Sequence, residues 1–271
     1  MAKQKGDGMS RRNLVKLTGA GALAAMAGAA TGLAPRQAKA APAKGRAILF
    51  DVGGTMLDWS VMPEKMTKFF AEKGLKVDGK AIWLPWRAKL FSYMMYNSMI
   101  GNGFMPLEEL AAKSTLAVTQ SMNIDLKPAD AGGVLALLGE LDLHPDVLPG
   151  LQKMRDAGYL LVPHTQLSNP ILKKAVLSRF KFDRYFTSET FGVYKPMRSL
   201  YMKAIDAMGL ERSEILYVTT NQFDVFASKG MGFRTGWVNR WNEQLEPYGD
   251  TPDWQAKDFV ELAKVLEAQK P

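Results

Sequence analysis

The chain has 271 residues, 47% of them apolar, which suits one large domain or two modest ones and excludes wholesale disorder. It has no cysteine and two histidines, His144 and His164, which excludes disulfides, thiolate metal sites, cysteine nucleophiles and a multi-histidine metal centre. Of the net charge of +8, residues 1–40 carry +6 and the other 231 only +2, so nucleic-acid binding loses its main support.

Residues 1–40 come first in chain order. Ser10-Arg11-Arg12-Asn13-Leu14-Val15-Lys16 sets an arginine pair ahead of a mild apolar run, Leu17 to Ala34. Ala38-Lys39-Ala40 then supplies a small-x-small cleavage site before Ala41. The segment resembles a bacterial twin-arginine signal peptide. Its apolar run is mostly Ala and Gly, which bury little area, so stable membrane insertion is not expected. The resemblance implies export of the folded chain through the twin-arginine machinery, cleavage, and a periplasmic location. A chain without cysteine needs no oxidative pairing there. No later stretch is apolar and long enough to span a bilayer.

From Arg46 onward, short apolar runs alternate with helical periods. Ala47-Ile48-Leu49-Phe50 predicts a buried strand. Tyr159-Leu160-Leu161-Val162, Tyr185-Phe186-Thr187, Ile215-Leu216-Tyr217-Val218 and Thr235-Gly236-Trp237-Val238 predict four more. Pro163 sits late in a strand that should be central, where its missing N–H is awkward unless the strand has already ended. Amphipathic segments at 147–156, 171–180, 199–208 and 225–229 lie between the strands. The alternation predicts an α/β fold, a Rossmann-like parallel sheet covered on both faces.

Residues 62–144 show helical periodicity only: Met66, Phe69 and Phe70, then Trp83 to Met99, Leu107 to Met122 and Ala129 to Leu141. This predicts an α-helical cap inserted into a catalytic core made of residues 46–61 and 145–271. Met94, Met95, Tyr96, Met99 and Phe104 are read as cap core or pocket lining. His144 opens a Pro-containing hinge back to the core, and His164 is a bystander at a strand end.

Phe50-Asp51-Val52-Gly53-Gly54-Thr55 follows the first strand, where open α/β sheets bind their ligands. Paired glycines let backbone N–H groups approach an anion, and Thr55 adds a hydroxyl. A similar turn holds phosphates in sugar kinases of the actin-like fold, but there a hairpin returns, whereas here Asp58 to Glu64 leads into a helical pattern. Val193-Tyr194-Lys195-Pro196 follows the third core strand, and Val218-Thr219-Thr220-Asn221-Gln222-Phe223-Asp224 follows the fourth.

With Thr165-Gln166 at the end of the second strand, these segments resemble the four motifs of the haloacid dehalogenase superfamily, from Arg46 to the C-terminus. Three further segments are similar to the L-2-haloacid dehalogenases (type II). Trp86-Arg87-Ala88-Lys89 with Tyr93 resembles that subfamily's cap-helix signature. Residues 219–224 match its Ser-Ser-Asn-Ala-Trp-Asp pattern, not the Gly-Asp-x-x-x-Asp of phosphatases. Trp237-Val238-Asn239-Arg240 and Gly249-Asp250-Thr251-Pro252-Asp253-Trp254 resemble its C-terminal segment.

The resemblance implies a cofactor-free, metal-free hydrolase that converts short 2-haloalkanoic acids into 2-hydroxy acids, usually as a homodimer. By that resemblance Asp51 attacks the halogen-bearing carbon and forms an aspartyl ester. Arg87 takes the leaving halide, with Asn221 nearby. Lys195 holds Asp51, an ammonium beside a carboxylate favouring its charged form. Thr55, Thr219 and Tyr201 orient these groups, and Asp224 positions or activates the hydrolytic water. Thr165 and Gln166 hold the substrate carboxylate, with Tyr201, Gly53 and Phe223 at the substrate side.

Gly53 stands where those enzymes carry a pocket-lining tyrosine, and Gln166 replaces their asparagine in a loop one residue longer. Unless Phe223 or cap methionines refill it, the space left at Gly53 should admit longer acids. Gly53 and Thr220 also stand where phosphatases need a carboxylate, so phosphoryl transfer and Mg²⁺ binding should be poor. Two other readings remain. One is a superfamily hydrolase acting on a different carbon electrophile or a phosphoester. The other is a non-catalytic exported binding protein, which would have little use for the charge cluster of Asp51, Lys195 and Asp224.

Overall fold

The computed structural model describes residues 46–268. Residues 1–40, read above as an export signal, lie outside the described residues. Six parallel strands form one sheet: β1 (Ala47–Phe50), β2 (Leu160–Thr165), β3 (Phe186–Thr187), β4 (Ile215–Thr219), β5 (Arg234–Val238) and β6 (Trp254–Ala256), in the order β3-β2-β1-β4-β5-β6. The helices used below are α1 (Met62–Glu72), α2 (Gly79–Ile100), α3 (Leu107–Ser121), α4 (Gly133–Ala136), α5 (Val147–Asp156), α6 (Asn169–Leu172), α7 (Ser188–Phe191), α8 (Arg198–Met208), α9 (Gln222–Gly230) and α10 (Phe259–Glu267).

Strand β1 is apolar without alternation because both faces of the sheet are covered. Ile48 and Phe50 pack into a core with α5 and α10, whereas Ala47 and Leu49 pack on the opposite face with Leu200, Tyr201 and Ala204 of α8. Successive side chains of a strand point to opposite faces, so four apolar residues in a row serve two cores.

The helical block from α1 to α4 leaves and rejoins the core between β1 and β2, through two paired segments. Leu57 and Leu143 form an antiparallel bridge, with Asp58 N–H donating to Asp142 O at 2.8 Å and His144 N–H to Met56 O at 2.8 Å. Helix α2 begins under an Asp78 N-cap whose carboxylate accepts from the Lys80 N–H, and ends on Gly101 in the left-handed conformation.

Several expectations are corrected. The helix expected over 129–141 is broken into a 3-10 turn, α4 and a second 3-10 turn. Gly132-Gly133 interrupts it, and a side chain at Gly133 would approach Phe69 to 2.4 Å. The helix expected over 171–180 shortens to α6 and a π-turn, Lys173–Leu177. β6 and α10 carry no expectation at all.

Pro163 does not end β2, which runs on to Thr165. The Leu160 N–H faces β1, donating to Arg46 O, and the Leu161 N–H faces the other way, donating to the Asp183 carboxylate. By alternation the proline nitrogen points to that second side too, where β3 starts pairing only at His164.

Candidate active site

The sheet order reverses direction between β1 and β4, and a crevice forms beyond the carboxyl ends of strands that part in this way. Asp51 follows β1 there, its N–H donating to Val218 O of β4 at 2.9 Å. Thr220 and Asn221 leave β4 beside it. The Asp51 carboxylate accepts three hydrogen bonds. One oxygen accepts from Lys195 Nζ at 2.7 Å, and the other from Thr55 Oγ1 at 2.6 Å and Asn221 Nδ2 at 2.8 Å.

Lys195, buried completely, also donates to Asp224 at 2.9 Å. Asp224 lies in the first turn of α9, where the positive end of the helix dipole favours a carboxylate. It further accepts from Tyr201 Oη and from Thr219 Oγ1 at 3.4 Å. Burial pushes the Asp224 carboxyl up, Lys195 draws it back and Asp51 pushes it up again, leaving it at about 6. Burial alone would lower the Lys195 pKa, but Asp224 and Asp51 outweigh it and the ammonium is held above its ordinary range.

Arg87 reaches this cluster from α2. Its Nη2 donates to Asn221 Oδ1 at 3.1 Å, and its guanidinium lies 4.7 Å from the Trp59 ring centre. Burial draws the Arg87 pKa down, offset in part by Asp51 and Glu243. Tyr194 anchors the segment carrying Lys195 to the helical block: its hydroxyl donates to Met105 O at 2.8 Å, and its ring stacks on Phe104 at 4.9 Å.

These groups border a cavity of about 380 Å³ between the helical block and the sheet, within the range of small-molecule sites. Asp51, Gly53, Arg87, Thr165, Gln166 and Asn221 reach it, as does Phe223, whose ring lies 4.8 Å from that of Phe91. Thr165 Oγ1 accepts from the Leu167 N–H at 3.1 Å, which leaves its own hydroxyl proton free to donate. Gln166 Oε1 is enclosed and has no hydrogen-bond partner among the described residues.

Three expectations change here. Tyr201 was expected at the substrate side. Its hydroxyl instead bonds Asp224, outside the cavity, because α8 presents it from beneath the sheet. Asp224 is fully enclosed and does not line the cavity; it is linked to Asp51 through Lys195 and, more indirectly, through Thr219 and Asn221. The space a side chain would take at Gly53 is filled by the Trp59 indole: a Cβ on Gly53 would stand 2.5 Å from Trp59 Cζ2. His164 stays outside the cavity, its Nδ1 meeting Tyr217 Oη at 3.0 Å inside the core.

Two residues went unnoticed in the sequence. Trp59 was one tryptophan in a turn, with no periodicity to mark it. Arg240 ends the run Trp237-Val238-Asn239-Arg240 with no pattern of its own to single it out. It donates to Asp146 at 2.7 Å and to Thr55 O at 2.9 Å, tying the loop after β1 to α5.

The donor set does not fit Mg²⁺. Asp51 is the one carboxylate at the cavity, Asp224 is covered by Lys195 and Tyr201, and the Thr220 hydroxyl is engaged with Thr55 at 3.1 Å. Among the described residues no group of three or more His, Asp or Glu side chains is placed to hold a metal ion.

A family model for haloacid dehalogenase-like hydrolases matches residues 46–232. The chain belongs to the haloacid dehalogenase-like hydrolase family. The hydrolase is 26% identical over 228 residues to (S)-2-haloacid dehalogenase of Pseudomonas sp. (strain YL), covering 82% of this chain and 94% of that one. It is 27% identical to haloacetate dehalogenase H-2 of Moraxella sp. (strain B), covering 77% and 92%. The structure of L-2-haloacid dehalogenase from Xanthobacter autotrophicus with chloropropionic acid covalently bound matches at a TM-score of 0.74. That match covers 83% of this chain and 100% of the other at 17% identity, and is a likeness of fold.

Proposed function

We propose that the hydrolase cleaves the carbon–halogen bond of 2-haloalkanoic acids and releases 2-hydroxy acids through an ester on Asp51. The observation that carries this reading is a carboxylate at a largely apolar cavity, held at both oxygens, with a guanidinium brought to it from the helical block. An Asp51 oxygen attacks C2, and the carbon–halogen electron pair leaves with the halide, stabilised by Arg87 and Asn221. Thr165 and Gln166 bind the substrate carboxylate.

Water then adds to the ester carbonyl carbon of Asp51. The bond from that carbon to the product oxygen breaks, and one proton is released with the 2-hydroxy acid. A single displacement at C2 inverts its configuration. Asp224 is read as a positioning residue acting through Lys195, because it does not reach the cavity. Lys195, Thr55 and Thr219 keep the carboxylates in place.

The test is a single turnover in heavy-oxygen water. The label should enter Asp51 while the first product stays unlabelled, and Asp51→Asn should abolish release without unfolding the chain. Label found only in product would mean direct attack by water and would overturn the ester.

We also infer that residues 1–40 direct twin-arginine export to the periplasm. The arginine pair and the Ala38-Lys39-Ala40 site support this, and the family match begins only at Arg46. A reporter fused after residue 45 should be exported, and Arg11→Lys with Arg12→Lys should stop it. A homodimer, also proposed, is tested by light scattering. Tyr96 and Met99 of α2, expected in the cap core or pocket lining, are instead exposed beside Ile100, and this apolar patch supports it.

A further inference from the structure

We propose that the cavity is built for 2-haloacids carrying an apolar tail of medium length, laid along α2, and not for acids of haloacetate size. This rests on the dehalogenase reading and names its substrate class. At about 30 Å³ per non-hydrogen atom, the share a water takes in the liquid, a cavity of about 380 Å³ holds roughly a dozen such atoms. A haloacetate would leave most of that space empty.

The chemistry of the walls says what should fill it. Asp51, Arg87, Thr165, Gln166 and Asn221 are the polar lining residues, and they match the charged end of a 2-haloacid. The rest of the lining is apolar. Trp86, Leu90 and Met94 recur every fourth residue on one face of α2, a wall about 12 Å long at 1.5 Å per residue. Leu107 and Leu138 close the same side from the start of α3 and the turn after α4. Trp59 seals the glycine pair beneath, so the room lies under the helical block and not at Gly53.

Burying each methylene in such walls corresponds to about fourfold, from 0.8 kcal/mol. The purified full chain is assayed for chloride release from (S)-2-chloropropionate, 2-chlorohexanoate, 2-chlorooctanoate and 2-chlorododecanoate. We expect kcat/KM to rise at least about tenfold from the propionate to the octanoate, well inside that limit, and to fall at the dodecanoate. A preference for 2-chloropropionate would overturn the proposal and leave the dehalogenase reading standing.

Leu138→Phe should erase the advantage of the longer acid, and an unchanged preference would place the tail elsewhere and overturn this one. Independently of turnover and of that variant's folding, unhalogenated octanoate should bind the natural protein at least about tenfold tighter than propionate by titration calorimetry. Equal affinities would overturn the proposal. If no acid releases chloride, the dehalogenase reading fails, and the alkanoate comparison still decides whether the cavity takes a tail.

Discussion

Trp59 lies on the face of Gly53, so close that a methyl group on the glycine would stand 2.5 Å from Trp59 Cζ2. The indole also carries the Arg87 guanidinium on its ring and meets Trp83 edge-on at 5.6 Å. One side chain thus joins the loop after β1 to the helix that supplies the arginine.

The two positions should therefore be coupled. Gly53→Ala is expected to cost about 1–3 kcal/mol by overpacking. In a Trp59→Ala background the same change should cost almost nothing, because the clashing ring is gone. Urea denaturation of the four proteins checks this, and additive costs would refute the contact. Gly53→Tyr, which would close a void if one existed, should instead be the least stable of the substitutions at 53.

Arg87 keeps its place by two contacts that a lysine cannot reproduce together, a guanidinium lying 4.7 Å over the Trp59 ring centre and a bond to Asn221. Arg87→Lys should lower kcat for halide release by tenfold or more, a loss of about 1.4 kcal/mol in the transition state. KM should change less, because the arginine acts on charge that develops during displacement. A variant that altered KM alone would assign Arg87 to ground-state binding.

Lys195 neutralises two buried carboxylates at 2.7 and 2.9 Å. Lys195→Met leaves both without their cation and should destabilise the chain by about 3–5 kcal/mol. Adding Asp224→Leu to that variant should recover part of the loss, read from thermal or urea midpoints, while activity stays absent.

The Asp224 pKa of about 6 makes activity and stability move in opposite directions. The unfolded chain takes up this proton near 3.8, so between about 4 and 6 the folded chain binds more protons. Stability from this group is full below the unfolded value and is lost as pH rises through about 6. The raised Lys195 pKa contributes stability across this whole window, lost only in the alkaline range. Protonating Asp224 loosens its hold on Lys195, so kcat should fall on the acid side with a midpoint near pH 6. Asp224→Asn should remove that acid limb along with most of the activity. A profile of the natural enzyme with no acid limb near this value would contradict the network.

Five strands were legible because a sheet covered on both faces demands unbroken apolar runs, and Ala47-Ile48-Leu49-Phe50 or Ile215-Leu216-Tyr217-Val218 supply them. Asp51 and Asn221 were legible because each follows such a strand, where the chain turns into the crevice, whereas Lys195 comes after the short β3 and α7 and was marked by its motif alone. The edge strand β6 was not, since three residues carry too little pattern to separate a strand from a loop. Nor could local pattern say where Pro163 aims its missing N–H, because that depends on how far β3 extends alongside.

The site itself divides in the same way. The residue types and their order along the chain were written in the sequence. The resemblance implied Asn221 near Arg87, but not that the two bond directly across 134 positions. Nor was it written that Trp59 fills the space at Gly53, or that Asp224 stands behind Lys195 outside the cavity. Periodicity records that a side chain is buried but not which neighbour buries it, and those neighbours meet only when the helical block closes over the sheet.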